Sequence, residues 1–354
     1  MSSDGCSFSA WQHLTAKGVA LGFRGCPALL VVLFHLSTRY DSIYGHTTAP
    51  LVSLPWGHYG VNLFFMISGF VIFMSLDRTR TALDFVVSRL SRLFPTYWAA
   101  IIVTSLVISM LGLPDREVSL PDTIANFSMI HNLFGIPHVD GVYWTLEIEM
   151  LFYCWALIAF SLGWLSRIHL LLAVLFSIRL IYFWCHRYFQ LELPIIISHL
   201  LILNYIAWFS AGIMIYRLVM GSSTRNLDLG VLFCAVALTT VVEGYRLGAI
   251  MILCITVLYG AAVGRLPLNR RWLVWLGAIS YPWYLMHQNV GYAMIRRLEA
   301  MGLSANIAIA VSILGTVTIA YLLLIFIDRP AIKWLREQYK QKKETLLNKY
   351  YKAV

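Results

Sequence analysis

The sequence predicts an all-α polytopic integral membrane protein, a bundle of about ten transmembrane helices with both termini in the cytoplasm. Three observations predict it. Apolar runs of about 18 to 22 residues recur along the whole 354-residue chain, and about 20 apolar residues is what a helix needs to cross a bilayer. Hydrophobic residues make up 59% of the chain and charged residues only 12%, with a mean hydropathy of +0.72; a soluble domain of this size does not carry that balance. Basic residues also alternate between rich and poor along successive connections, the positive-inside pattern. The formal net charge of +10 therefore marks a membrane side and not a nucleic-acid partner.

The spans are expected at about 19–37, 57–76, 94–113, 143–162, 168–185, 195–216, 228–243, 247–264, 273–294 and 304–327. The seventh and eighth share one apolar run, broken at Glu243-Gly244-Tyr245-Arg246, and can also be read as one re-entrant unit. Even-numbered connections carry Arg78, Arg80, Arg89 and Arg92, then Arg167, then Arg217 and Arg225, then Arg265, Arg270 and Arg271. Odd-numbered ones carry single basic residues (Arg39, Arg116, Arg187, Arg246), with Arg296-Arg297 as the exception. The longest connection, Pro114 to Val142, faces outward, and no connection can hold a soluble catalytic domain. Chemistry must therefore come from the helices and their mouths.

Two segments are expected: a transmembrane domain over 1–330 and a basic cytoplasmic juxtamembrane tail over 331–354. The tail, with Trp334 and Tyr339 among its lysines, reads as an amphipathic helix lying on anionic lipid. The six cysteines are scattered without a C-x-x-C pair, so neither a disulfide framework nor a metal site is expected. The first fifteen residues lack a basic n-region and a cleavage site, and the first span is expected to be retained. No internal repeat is visible.

Candidate chemistry begins in the first span, where Arg24 and His35 are eleven residues apart. That is about three helical turns, so both project from one face, roughly 16 Å apart. Ionisable groups inside an apolar span are costly and point to function. A buried neutral imidazole can take a proton from a hydroxyl and return it; the competing reading of His35 is a core histidine bonded to a carbonyl. Arg89 and Arg92 lie at i and i+3, and two guanidinium forks at a membrane mouth suit phosphate groups. Their competing reading is a positive-inside anchor. Glu147 and Glu149, in Tyr143-Trp144-Thr-Leu-Glu147-Ile-Glu149, lie 200° apart on a helix, so they cannot both face one cavity. One is expected to line the bundle while the other meets headgroups or an outward vestibule. Asn62, Ser68 and Gly69 mark the second span as an inner helix, with packing the expected role of Ser68-Gly69. His287 lies mid-span in the ninth, where structural and chemical roles are both open.

Together these motifs resemble the membrane-bound acyltransferase-3 family. The matching pieces run in family order: Arg24 with His35; Gly60 to Phe70; Arg89 and Arg92 followed by Pro95 to Trp98; Trp144 to Glu149 with Phe152-Tyr153; Phe209 to Gly212; and Ser280-Tyr281 to His287. One departure is Asn62, where many members carry an acid. The resemblance implies acetyl-CoA as cytoplasmic donor, His35 as catalytic base and Glu149 as the family's acid. Arg24, Arg89 and Arg92 would serve donor binding or core organisation, and Asn62, Trp144, Glu147 and His287 would line the acceptor site; no metal is implied. The expected acceptor is a cell-surface polysaccharide or lipid-linked oligosaccharide at a bacterial inner membrane. Direct transfer and a route through acyl-His35 both stay open. Two other readings stand beside it: acylation of a small hydroxylated metabolite, and a transporter or flippase without chemistry.

Overall fold

A computed structural model describes residues 23–266 and 270–353. All regular structure among them is helical. After α1 (residues 23–34) the backbone enters a π turn, His35–Arg39, and then α2 (Tyr40–Tyr44). There follow α3 (Gly60–Leu76), α4 (Ala82–Leu111), α5 (Leu120–Asn126), α6 (Trp144–Ser161), α7 (Ile168–Phe189) and α8 (Ile195–Leu200). The chain continues through α9 (Ile206–Val219), α10 (Arg225–Glu243), α11 (Tyr245–Ala262), α12 (Arg271–Met286), α13 (Asn289–Ala300), α14 (Ala305–Leu323) and α15 (Arg329–Ala353). A second π turn, Leu324–Asp328, joins the last two.

Among the described residues seven helical stretches are long and apolar enough to cross a membrane: Pro55–Leu76, Ala82–Leu111, Gly141–Ser161, Trp164–Phe189, Arg225–Glu243, Tyr245–Ala262 and Ala305–Thr345. Three of the expected ten are not among them. The first expected span begins at residue 19, and residues 19–22 lie outside the described set, as does Cys6. The sixth is broken between α8 and α9, where Ile202 adopts a positive φ of 47°, a conformation β-branched residues rarely enter. The ninth is broken at His287-Gln288, leaving α12 and α13 with 16 and 12 residues. The seventh and eighth are two full helices, divided at Gly244, whose φ of 96° ends α10.

The helices divide into two compact units. One holds α1, α3, nearly all of α6, α7 to α11 and α12 up to Ser280. Its axis is the crossing of α3 and α9. A Cβ on Gly69 would strike the Phe209 carbonyl, and one on Gly212 would strike the Met66 carbonyl. The reciprocal glycines let two backbones meet, as small residues do where membrane helices pack closely. At the end of α9, Arg217 Nε donates to Asp228 at 2.8 Å, and His169 Nε2 lies 2.7 Å from the same oxygen. Asp228 is fully buried, so this pair ties α7, α9 and α10.

The other unit holds the first π turn, α2, α4, α5 and the chain from Tyr281 through α15. A reciprocal Thr81–Asp84 capping box starts α4. The tail helix α15 runs antiparallel along α4. Thr96 donates to Asp328 at 2.7 Å, Arg336 reaches Ser91 and Ser88 at 3.4 Å, and Tyr339 and Lys343 reach Asp84 at 2.8 and 2.7 Å. The tail helix is thus docked on α4 along one side.

Candidate functional site

His35 opens the π turn and is half-buried. A π turn inserts a residue into the α-helical ladder and recurs at functional positions. Its partner is His287, which is fully buried at the break between α12 and α13. His287 Nε2 lies 3.1 Å from His35 Nδ1, and the two rings meet edge to face at 5.0 Å. His287 Nδ1 lies 2.8 Å from the Tyr284 carbonyl oxygen.

These contacts fix where the protons sit on two neutral imidazoles. A carbonyl only accepts, so His287 Nδ1 carries hydrogen and donates it. Its Nε2 then holds a lone pair and accepts from His35 Nδ1–H. The basic lone pair of His35 is therefore at Nε2. The expectation of a core histidine bonded to a carbonyl describes His287, one step behind His35.

A strap supports this pair. Asp140 is fully buried; it accepts from the backbone N–H of Val142 at 3.1 Å and of Asn289 at 3.0 Å. Asn289 Nδ2 donates to the Val139 carbonyl at 2.9 Å. The long connection is thereby tied to the residues that follow His287. Burial pushes the Asp140 carboxyl up to about 7, against the pull of its two N–H donors. In the same connection His131 Nε2 and His138 Nδ1 lie 2.7 Å apart, and burial holds each near about 4. Sequence reasoning missed Asp140; its signal was an acid before Gly141 in a long loop leading into the Trp144 motif.

The other expected residues form separate groups. Arg89 and Arg92 are half-buried on one side of α4, and the Arg89 guanidinium lies 5.6 Å from the centre of the Phe85 ring. In the other unit Glu149 accepts from Ser68 Oγ at 2.7 Å and from Tyr153 OH at 2.5 Å, both at one carboxylate oxygen. Ser68 is thus a polar partner, while Gly69 beside it does the packing. Glu147 is 1% exposed, with His199 Nδ1 3.8 Å away, so it is a core group and not one meeting headgroups. Arg24, Asn62 and Trp144 are half-buried, on α1, on α3 and at the start of α6. Among the described residues no cluster of three or more His, Cys, Asp or Glu is placed to hold a metal ion.

A family model described as an acyltransferase domain, of the acyltransferase-3 type, matches residues 22–325. The chain is also similar to the exopolysaccharide production protein ExoZ of Rhizobium meliloti (strain 1021). The two are 34% identical over 113 residues, covering 27% of this chain and 32% of that protein; the match thus spans about a third of the relative's length. No solved structure matches. With helices long enough to cross a membrane several times and a family match over most of its length, the chain belongs to the acyltransferase-3 family of multi-pass membrane acyltransferases.

Proposed function

We propose that this enzyme moves an acetyl group from cytoplasmic acetyl-CoA to a hydroxyl of a surface polysaccharide or lipid-linked oligosaccharide, at a bacterial inner membrane. The observation that carries the proposal is the pairing of His35 with a buried His287 whose own proton is held by a carbonyl. The printed name of the relative, an exopolysaccharide production protein, supports the acceptor class. Family membership makes an enzyme of the chain and sets the flippase reading aside.

In this mechanism His35 Nε2 removes the proton from the acceptor hydroxyl. The oxygen attacks the thioester carbonyl, the C–S bond breaks, and the proton passes from His35 to the departing thiolate. The products are the ester and free coenzyme A. His287 is fully buried, which disfavours its charged form, so it does not take the proton on from His35. The proton therefore returns from the nitrogen that took it. The arginines of α4 would hold donor phosphates by bidentate contacts.

The test is thiol release from acetyl-CoA by purified protein in nanodiscs, with and without envelope glycan. Glycan should stimulate release by the wild type, and His35→Ala should abolish the stimulated rate. Wild-type turnover by His35→Ala would overturn the proposal.

A further inference from the structure

In the unit that holds α4, the C-terminal end of that helix and the long connection after it border a cleft of about 330 Å³. Ser105, Ser109, Arg116 and Glu117 bring polar groups to its wall, and Ile108 and Val139 bring apolar ones. The two serines are four residues apart and so share a face of the helix. Other acids of this connection are already engaged. Asp122 accepts from Ser119 Oγ at 2.7 Å, and Asp140 accepts from two backbone N–H groups. The side chains of Arg116 and Glu117 make no hydrogen bond or ion pair among the described residues, although Arg116 is half-buried.

The wall of this cleft is joined to the histidine pair within the same unit. The Val139 carbonyl accepts from Asn289 Nδ2 at 2.9 Å, and Asp140 accepts from the Asn289 N–H at 3.0 Å. Asn289 lies two residues past His287, the partner of His35. At this joint Asn289 Oδ1 is buried without a hydrogen-bond partner among the described residues, and so is the hydroxyl of Tyr292, one turn further along α13. Buried polar groups rarely stay unpaired, so a polar guest suits this region. The cleft itself defines the guest further. Arg116 donates, Glu117 accepts and the serines do both, while Ile108 and Val139 need a C–H surface. Adjacent Arg and Glu charges cancel, which does not select an anion. A sugar ring, with hydroxyls at its rim and C–H groups on its face, meets each of these demands. The volume lies at the low end of small-molecule sites, about 300–1,000 Å³, and so suits a short stretch of glycan.

We propose that this cleft is an acceptor subsite, in which Arg116 and Glu117 hold an uncharged sugar unit of the glycan through its hydroxyls. This inference rests on the surface-glycan reading above. It gives the long connection a part in choosing the acceptor, beside that of bracing the residues after His287.

The experiment measures thiol release from acetyl-CoA in nanodiscs against the concentration of purified envelope glycan. Arg116→Ala and Glu117→Gln should each raise the KM for glycan roughly tenfold, the loss of a charge-assisted hydrogen bond, with the KM for acetyl-CoA unchanged. Asp115→Asn removes a charge from the same connection without lining the cleft and should leave both KM values unchanged; asparagine tolerates the positive φ of 59° there. Occupancy is read separately. In a cysteine-free background, glycan should slow the reaction of Ser109→Cys with maleimide. An unaltered glycan KM in both Arg116→Ala and Glu117→Gln overturns the inference and leaves the His35 reading standing. So does an equal rise in both KM values, which marks a structural role. A rise for Arg116→Ala alone that salt removes reveals an anion site and overturns it as well. Stimulation of release without shielding of Ser109→Cys overturns the inference alone. Shielding without stimulation supports the sugar site and places the failure in the acyl-transfer reading. If glycan does neither, the acceptor reading falls and this inference with it.

Discussion

At the residue scale the contact between His35 and His287 makes a prediction that neither side chain makes alone. A free imidazole divides its proton between two nitrogens, whereas the 3.1 Å contact reserves Nδ1 of His35 for donation. Removing the acceptor lets the ring take the wrong tautomer or turn. His287→Ala should therefore lower kcat roughly 100-fold, the usual upper range for a group that orients a reacting one, with the KM for acetyl-CoA nearly unchanged. His287→Gln puts an amide near the Nε2 position and should recover part of the rate through its oxygen. A loss in KM alone would place His287 in donor binding. Both histidines were legible in the sequence as costly groups in apolar spans. Their contact was not, because 252 residues separate them and the π turn that opens at His35 leaves no mark in hydropathy.

At the element scale, the strap that ties the long connection to the α12–α13 break has a pH signature. Asp140 titrates at about 7 in the folded protein and near 3.9 when exposed. The folded state thus binds the extra proton, so stability is greatest below the exposed value and is lost as pH rises through about 7. His131 and His138, held near about 4, work in the other direction: their contribution is present above the ordinary histidine value and is lost in acid. Between pH 6.5 and 8 the loss from Asp140 and the gain from the two histidines, which titrate near 6.5 when unfolded, are of similar size, so a variant is needed to separate them. Over that interval the melting temperature of Asp140→Asn in detergent should rise relative to that of the wild type; parallel profiles would refute the assignment. The α3–α9 crossing permits a second prediction. Gly212→Ala drives a methyl into the Met66 carbonyl, and overpacking of this kind costs about 1–3 kcal/mol, readable as a lower melting temperature. The motif glycines Gly69 and Gly212 were visible in sequence, but their reciprocity needed the crossing. The breaks in the sixth and ninth spans were hidden for another reason: apolar composition runs unbroken from Leu200 to Leu203, and the short polar run His287-Gln288-Asn289 is averaged away by its apolar neighbours, since a window of hydropathy does not sense backbone direction.

At the scale of the whole molecule, sidedness links the charge pattern to the proposed chemistry. The helical stretch Ala305–Thr345 has 41 residues, about 60 Å of helix against a hydrocarbon core of about 30 Å. Its second half must leave the membrane, and that half carries the basic residues from Arg329 onward. The positive-inside rule predicts a cytoplasmic place for such an end, the side of the proposed donor acetyl-CoA. The connection containing Glu117 is poor in basic residues and is expected on the opposite side, where a surface glycan is assembled. In a cysteine-free background, Glu117→Cys should react with a membrane-impermeant maleimide in intact cells, and Lys340→Cys only after the membrane is opened. Labelling of Lys340→Cys in intact cells would put Arg89 and Arg92 on the side that lacks the donor. The two arginines would then face external anions, and the direction of acyl transfer proposed for this enzyme would have to be reversed.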